Sequence, residues 1–266
     1  MKRRLGHLET QVLAYTQMRQ MRTIRTGELA EPLRLSLQQE QEVIARLARG
    51  GLLARVRRGL YLVPPRLPLG GAWSPDPILA LSALMEDRGA RYQICGPNAF
   101  NRYGFSDQVP NRAYAYNNRL SGERTIGAIS LTLIKVSDAR LGDTEESTTR
   151  EGSIVAYSSR VRTLVDAVYD WARFSSLPRG YSWIIRELAA GRVAPKALVA
   201  ATLGYGDVGT IRRLGALLEK AGIHAGLLRK LEDALPESTG TIPWIPTKPK
   251  RGTLNRRWRL IMNGEV

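Results

Sequence analysis

The chain has 266 residues, 43% of them apolar, with 40 basic and 24 acidic side chains and a formal charge of +16. That is enough to bury a core and points to two domains, and no apolar run approaches the ~18 residues of a membrane span. A single cysteine, Cys95, excludes an internal disulfide, and with only His7 and His224 beside it neither a structural metal nor a cofactor is expected.

The start, Met1-Lys2-Arg3-Arg4, lacks the apolar stretch of a secretion signal, so a cytoplasmic protein is expected. Leu5, Leu8, Val12, Leu13, Tyr15 and Met18 recur at helical spacing, which predicts a helix from about Leu5 to Gln20. Thr23-Ile24-Arg25 reads as a short strand leading into Thr26, the expected N-cap of a second helix that closes near Pro32. Ser36 opens a third helix, with Gln39 in the capping-box position and Val43, Ile44 and Leu47 as its buried stripe. Gly50-Gly51 ends it. Leu52 to Val63 then reads as two short strands around Arg57-Arg58-Gly59. Five prolines and two glycines between Pro64 and Pro77 mark a linker.

Beyond it, a helix is predicted over Pro77 to Asp87, a strand over Tyr92 to Cys95 and a short helix from Gly96 to near Gly104. Strands are predicted at Arg112 to Asn117, Ile129 to Val136 and Ser153 to Tyr157, with Gly142 to Glu151 as an exposed loop. From Ser159 the pattern is helical, with three or four shorter helices reaching about Leu235. An extended, proline-bearing segment covers Pro236 to Gly252, and Trp258 to Met262 reads as a final strand. The expected fold is α+β: an N-terminal winged helix-turn-helix over residues 1–66, a linker at 67–77, and a larger mixed α/β domain over 78–266 that ends in a helical region and a C-terminal strand.

Charge is unevenly spread. Residues 1–66 hold 13 basic and 5 acidic side chains, net +8, half the excess in a quarter of the chain. A cationic module of this layout suits double-stranded DNA, with one helix in a groove and the wing beside it. On the third helix Gln38, Gln41, Glu42, Ala45 and Arg49 are expected to point outward, with Gln39 and Arg46 on the flanks. Glutamine can bond adenine and arginine can bond guanine bidentately, although such side chains also serve simply to solvate a helix. Arg55, Arg57 and Arg58 on the hairpin, Arg22 and Arg25 before the second helix, and the caps Thr26 and Ser36 complete the expected DNA contacts. The basic stretch Lys248 to Arg259 suits DNA, a protein partner or RNA, or is a charged strand connection.

"TGELAE", the Leu47–Leu53 end of the third helix and "RRGLYLVP" resemble the N-terminal domain of AbiEi-type antitoxins of type IV toxin–antitoxin systems. "CGPNAFNRYGFSDQVP", "RVRTLVDAV" and "NRRWRLIMN" continue the resemblance over nearly the whole chain, with Phe105 at an expected leucine and Cys95 at an expected small residue. The resemblance implies a protein of phage defence that binds operator DNA and represses its own operon. It further implies that the second domain counteracts a cognate nucleotidyltransferase-like toxin, without a durable complex.

No enzyme motif is legible. Gly152-Ser153 is followed by Ile154-Val155 rather than an acidic pair, and Lys135 has no acidic partner of the metal-nuclease kind. Glu145-Glu146 reads as a solvated pair, and Asp166 and Asp170 with Arg162 and Arg173 as helix ion pairs. Gly204-Tyr205-Gly206 follows no strand and so is not a phosphate loop. Two other readings stay open: a winged-helix regulator whose second domain senses a ligand or dimerises, and a nuclease guided by the winged module.

Overall fold

The structure, a computed structural model, describes residues 5–68, 72–149, 154–237 and 240–265. The readings that involve Met1-Lys2-Arg3-Arg4, Gly70-Gly71 and Gly152-Ser153 fall outside these residues.

The chain opens with α1 (His7–Met18), β1 (Thr23–Arg25), α2 (Leu37–Arg49), β2 (Ala54–Arg57) and β3 (Leu60–Leu62), and the strands pair in the order β1-β3-β2. This is a winged-helix layout with one difference from the sequence expectation. Thr26 caps no helix; residues 26–34 form a run of turns. Gly27 sits at φ +98°, which interrupts helical geometry at once. The freed amides find another partner in Glu40 of α2, whose buried carboxylate accepts from Gly27 N–H at 2.7 Å and Leu29 N–H at 2.8 Å. Thr26 N–H instead donates to the Gly59 carbonyl at 3.0 Å, tying the turn to the hairpin tip.

The second unit is built on a six-stranded sheet in the order β6-β7-β5-β4-β9-β8. Its strands are β4 (Tyr92–Ile94), β5 (Arg112–Asn117), β6 (Gly122–Ile126), β7 (Ile129–Lys135), β8 (Thr144–Thr148) and β9 (Ile154–Ser158). β4 and β9 are parallel, as are β5 and β7; the other pairs are antiparallel. Period-two alternation sorts the side chains to two faces. Ile94, Ala113, Ala115, Leu131 and Leu133 pack toward α3 (Pro77–Asp87), whereas Tyr116 and Ile134 face the helical region. Asp76 caps α3 by accepting from Ile78 and Leu79 amides, with Pro77 opening the helix. The short α4 (Gly96–Arg102) follows β4.

Two strands depart from expectation. Thr144–Thr148, expected within an exposed loop, pairs with β9 as an edge strand, and β6 was not expected at all. Both edges are polar and exposed, so they carry no alternation to read.

The helical region comprises α5 (Arg160–Tyr169), α6 (Trp171–Phe174), α7 (Arg179–Ala189), α8 (Pro195–Tyr205), α9 (Val208–Lys220) and α10 (Ala225–Asp233), five helices after α5 where three or four were expected. α5 is buried along almost its whole length, and the Arg162–Asp166 pair at 2.9 Å lies inside the core with Arg140 adding a second contact to Asp166 at 2.9 Å. Arg173 approaches Asp170 at 3.7 Å, so the expected helix pairs form. The C-terminal segment forms a small sheet, β10 (Ile242–Pro243), β12 (Leu260–Met262) and β11 (Thr253–Asn255) in that order, where a single strand was expected. Trp258 packs into the space left by Gly215, where an added Cβ would lie 2.2 Å from the indole. Arg257, from the basic stretch, pairs with Glu219 at 2.7 Å and Glu232 at 2.9 Å, a connecting role for that residue.

The winged module and the second unit share an apolar cluster. Ala54 and Leu62 of the hairpin pack with Leu81, Leu84 and Ile126. Of the expected linker, Trp73 donates its amide to the Gly51 carbonyl, holding that segment against the end of α2.

Candidate nucleic-acid interface

α2 is the best-built element of the module. Ser36 Oγ accepts from Gln39 N–H at 3.2 Å, and Gln39 Oε1 in turn accepts from Ser36 N–H at 2.8 Å. These two expected DNA contacts are therefore engaged as a cap. Glu40, Val43, Ile44 and Leu47 are buried at helical spacing, which fixes the opposite face outward. That face exposes Leu37, Gln38, Gln41, Glu42, Ala45 and Arg49. Gln38 Nε2 donates to Glu42 at 3.0 Å, so the two form a paired polar edge, whereas Gln41 makes no side-chain hydrogen bond among the described residues. Arg46 on the flank approaches Glu9 of α1 at 3.9 Å.

The expected arginines divide into two sets. Asp87, at the end of α3, has a side chain only 4% exposed. It accepts from Arg57 Nε and Nη2, both at 2.6 Å, and from Arg25 Nη1 at 3.0 Å. The Arg57 guanidinium, followed by that of Arg25, holds the Asp87 carboxyl at about 2, well below the usual range. Arg57 Nη1 also donates to the Arg58 carbonyl at 2.6 Å. These two arginines join the winged module to α3 rather than standing free for phosphate. Arg55 and Arg58, by contrast, are exposed and form no side-chain ion pair among the described residues. Arg58 sits at the hairpin tip beside Gly59, whose φ of +78° makes the turn. Arg22 is exposed at the start of β1, and Thr26 beside the tip serves the hairpin through its amide.

The candidate surface thus comprises the outward face of α2, with Arg49 at its end, and the exposed Arg55 and Arg58 of the wing. Three residues that shape or support this surface were missed by reading the chain alone. Leu37, 60% exposed at the first turn of α2, offers an apolar contact of the kind that reads the thymine methyl. Glu40 belongs to the stripe 40, 43, 44, 47, a phase that marks it as buried. Asp87 lies 30 residues from Arg57 and 62 from Arg25, with no local signal to join them.

Elsewhere, among the described residues, no three His, Cys, Asp or Glu side chains gather as a metal site. His224 Nδ1 accepts from Gly226 N–H at 3.1 Å and so caps α10. Among the described residues no helix is long and apolar enough to cross a membrane.

No family model and no curated protein matches the chain. Among solved structures it is similar to the crystal structure of the RV2827C protein from Mycobacterium tuberculosis, at 17% identity and a TM-score of 0.60, over 97% of this chain and 92% of that one. At that identity the likeness concerns the fold, which the two chains share across both units.

Proposed function

We propose that the protein is a cytoplasmic, non-enzymatic DNA-binding repressor of its own operon and the antitoxin of a type IV toxin–antitoxin pair. The observation that carries the DNA half is the capped, outward-facing surface of α2 together with the exposed wing arginines Arg55 and Arg58, which form no ion pair among the described residues, on a module of net charge +8. Side chains on α2 reach base edges and the wing arginines neutralise phosphates. The antitoxin half is supported by the ordered motif resemblance to AbiEi-type proteins and concerns a nucleotidyltransferase-like toxin.

Two experiments test the halves separately. Fluorescence anisotropy with the operon's upstream region, repeated after replacing Arg55 and Arg58 by alanine, should show affinity lost on all sequences and a salt slope reduced by about 1 to 2 units. An unchanged slope removes the wing from the account. Co-expression with the adjacent reading frame, scored for growth, tests toxin neutralisation, and absence of rescue removes the antitoxin role.

A further inference from the structure

α7 and α9 both pack against α5, and their C-terminal halves border a groove of about 420 Å³ on the second unit. Its lining is apolar. Leu217 of α9, 1% exposed, forms the floor, with Ile185, Leu188 and Ala189 of α7 on one side and Ile223, just beyond α9, on the other. α7 buries Tyr181, Ile184 and Glu187 at helical spacing, so its opposite face should be polar. It exposes Ile185, at 37%, and Ala189 one turn on instead.

The uncompensated charge around the groove has one sign. α7, α8 and α9 together carry two carboxylates, Glu187 and Glu219, and both are engaged. Glu187 pairs with Arg160 at 2.9 Å and Arg192 at 2.7 Å. Glu219 accepts from Arg257 at 2.7 Å and from the Trp258 indole N–H at 2.9 Å. Lys220 lines the groove and is exposed, and the exposed Arg186 and Lys196 follow the lining residues Ile185 and Pro195 in the chain. None of these three cations has an ion pair or a side-chain hydrogen bond among the described residues.

We propose that this groove docks an amphipathic helix of a protein partner, its apolar stripe against Ile185, Leu188 and Ile223 and its acidic side chains at Arg186, Lys196 and Lys220. A groove between two helices accepts a third through residues at i, i+3, i+4 and i+7 spacing. Burial of the apolar stripe supplies the affinity. The rim cations select the sign of the partner's charge: they favour flanking carboxylates, repel lysines, and oppose a second copy of this chain meeting the groove through the same face. No residue of the winged module lines the groove, so this inference and the proposed DNA contact fail separately.

The test uses the full chain and fluorescence anisotropy with labelled helical peptides of about 18 residues. One carries leucines at i, i+3, i+4 and i+7 spacing flanked by glutamates. A second keeps the leucines and carries lysines instead, and a third keeps the glutamates but has serines for leucines. The first should bind with Kd of about 100 µM or tighter, and the other two at least about tenfold more weakly. Ile185→Asp and Ala189→Asp should each weaken the first peptide about tenfold, and Lys220→Glu should abolish the preference for glutamate flanks. All three positions are exposed, so the variants should melt close to wild type. No saturable binding of the first peptide up to about 1 mM overturns the proposal. So does equal binding of the serine peptide, which would reduce the effect to attraction by the chain's overall charge. Binding indifferent to both aspartate substitutions also overturns it, as does self-association by light scattering that Ile185→Asp removes, which would give the groove to a second copy.

Discussion

Replacing Asp87 with asparagine should loosen the winged module from α3 without touching the surface proposed to meet DNA. Asp87 accepts three charge-assisted hydrogen bonds, two from Arg57 at 2.6 Å and one from Arg25 at 3.0 Å. Hydrogen bonds to charged groups contribute about 1.5–3 kcal/mol. The two guanidiniums are 36% and 56% exposed, so water replaces part of what they lose. The expected cost is therefore about 1–2 kcal/mol. For a chain of this size that corresponds to a fall in melting temperature of about 2–8 °C by calorimetry.

The pH dependence has a definite sign. A carboxyl lowered to about 2 in the folded protein stabilises fully above its ordinary value of 3.8, and that contribution disappears as pH falls toward 2. The wild-type advantage over Asp87→Asn should shrink across this window. Arg57→Ala should lower the melting temperature in the same way, and the double variant should be no worse than the single ones combined and clearly less than additive. Its affinity for operator DNA should stay close to wild type while Arg58→Ala loses affinity. Weakened DNA binding by Arg57→Ala, with an unchanged melting temperature, would refute the assignment of Arg57 to the module contact.

Glu40→Ala should leave two amides of the 26–34 turn without their acceptor and cost about 1–3 kcal/mol, read by denaturant unfolding; an unchanged midpoint would mean the carboxylate does not organise the turn. Thymine-to-deoxyuridine replacement, scanned across the operator, should cost wild-type protein about three- to fivefold at one position and cost Leu37→Ser nothing there. Equal losses in both proteins would remove Leu37 from base contact. Gly215→Ala places a methyl against Trp258 and should destabilise by about 1–3 kcal/mol through overpacking. A melting temperature equal to wild type would contradict the close packing of α9 on the C-terminal sheet.

Elements with a strong local signal were legible in the sequence. Pro77 to Asp87 and Arg112 to Asn117 coincide with α3 and β5, and the Ser36–Gln39 box marks the start of α2. The edge strands were not, because Gly122–Ile126 and Thr144–Thr148 are almost wholly polar and exposed, so each takes its strand form from hydrogen bonds to the strand that follows it rather than from an alternation of its own. The second helix was misread because Thr26 has the chemistry of a cap, whereas Gly27 and the reach of Glu40 favour turns.

Within the candidate interface, composition could not separate one arginine from the next. Arg57 and Arg58 are adjacent, yet only Arg57 points to a carboxylate supplied by α3. Likewise the packing of Phe100 against Phe174 and Trp183 joins residues near 100 with residues near 180, and nothing in either segment announces the other. Tertiary proximity of this kind has no periodicity to read.

The surface of α2 and the wing can be tried most directly by salt-dependent anisotropy of the full chain on its upstream duplex and on a scrambled duplex of equal length. Preference for the upstream duplex by at least about tenfold, with affinity for both falling steeply as salt rises, is the expected result. Equal affinity for the two duplexes, or affinity insensitive to salt, would contradict a cationic winged module that reads DNA.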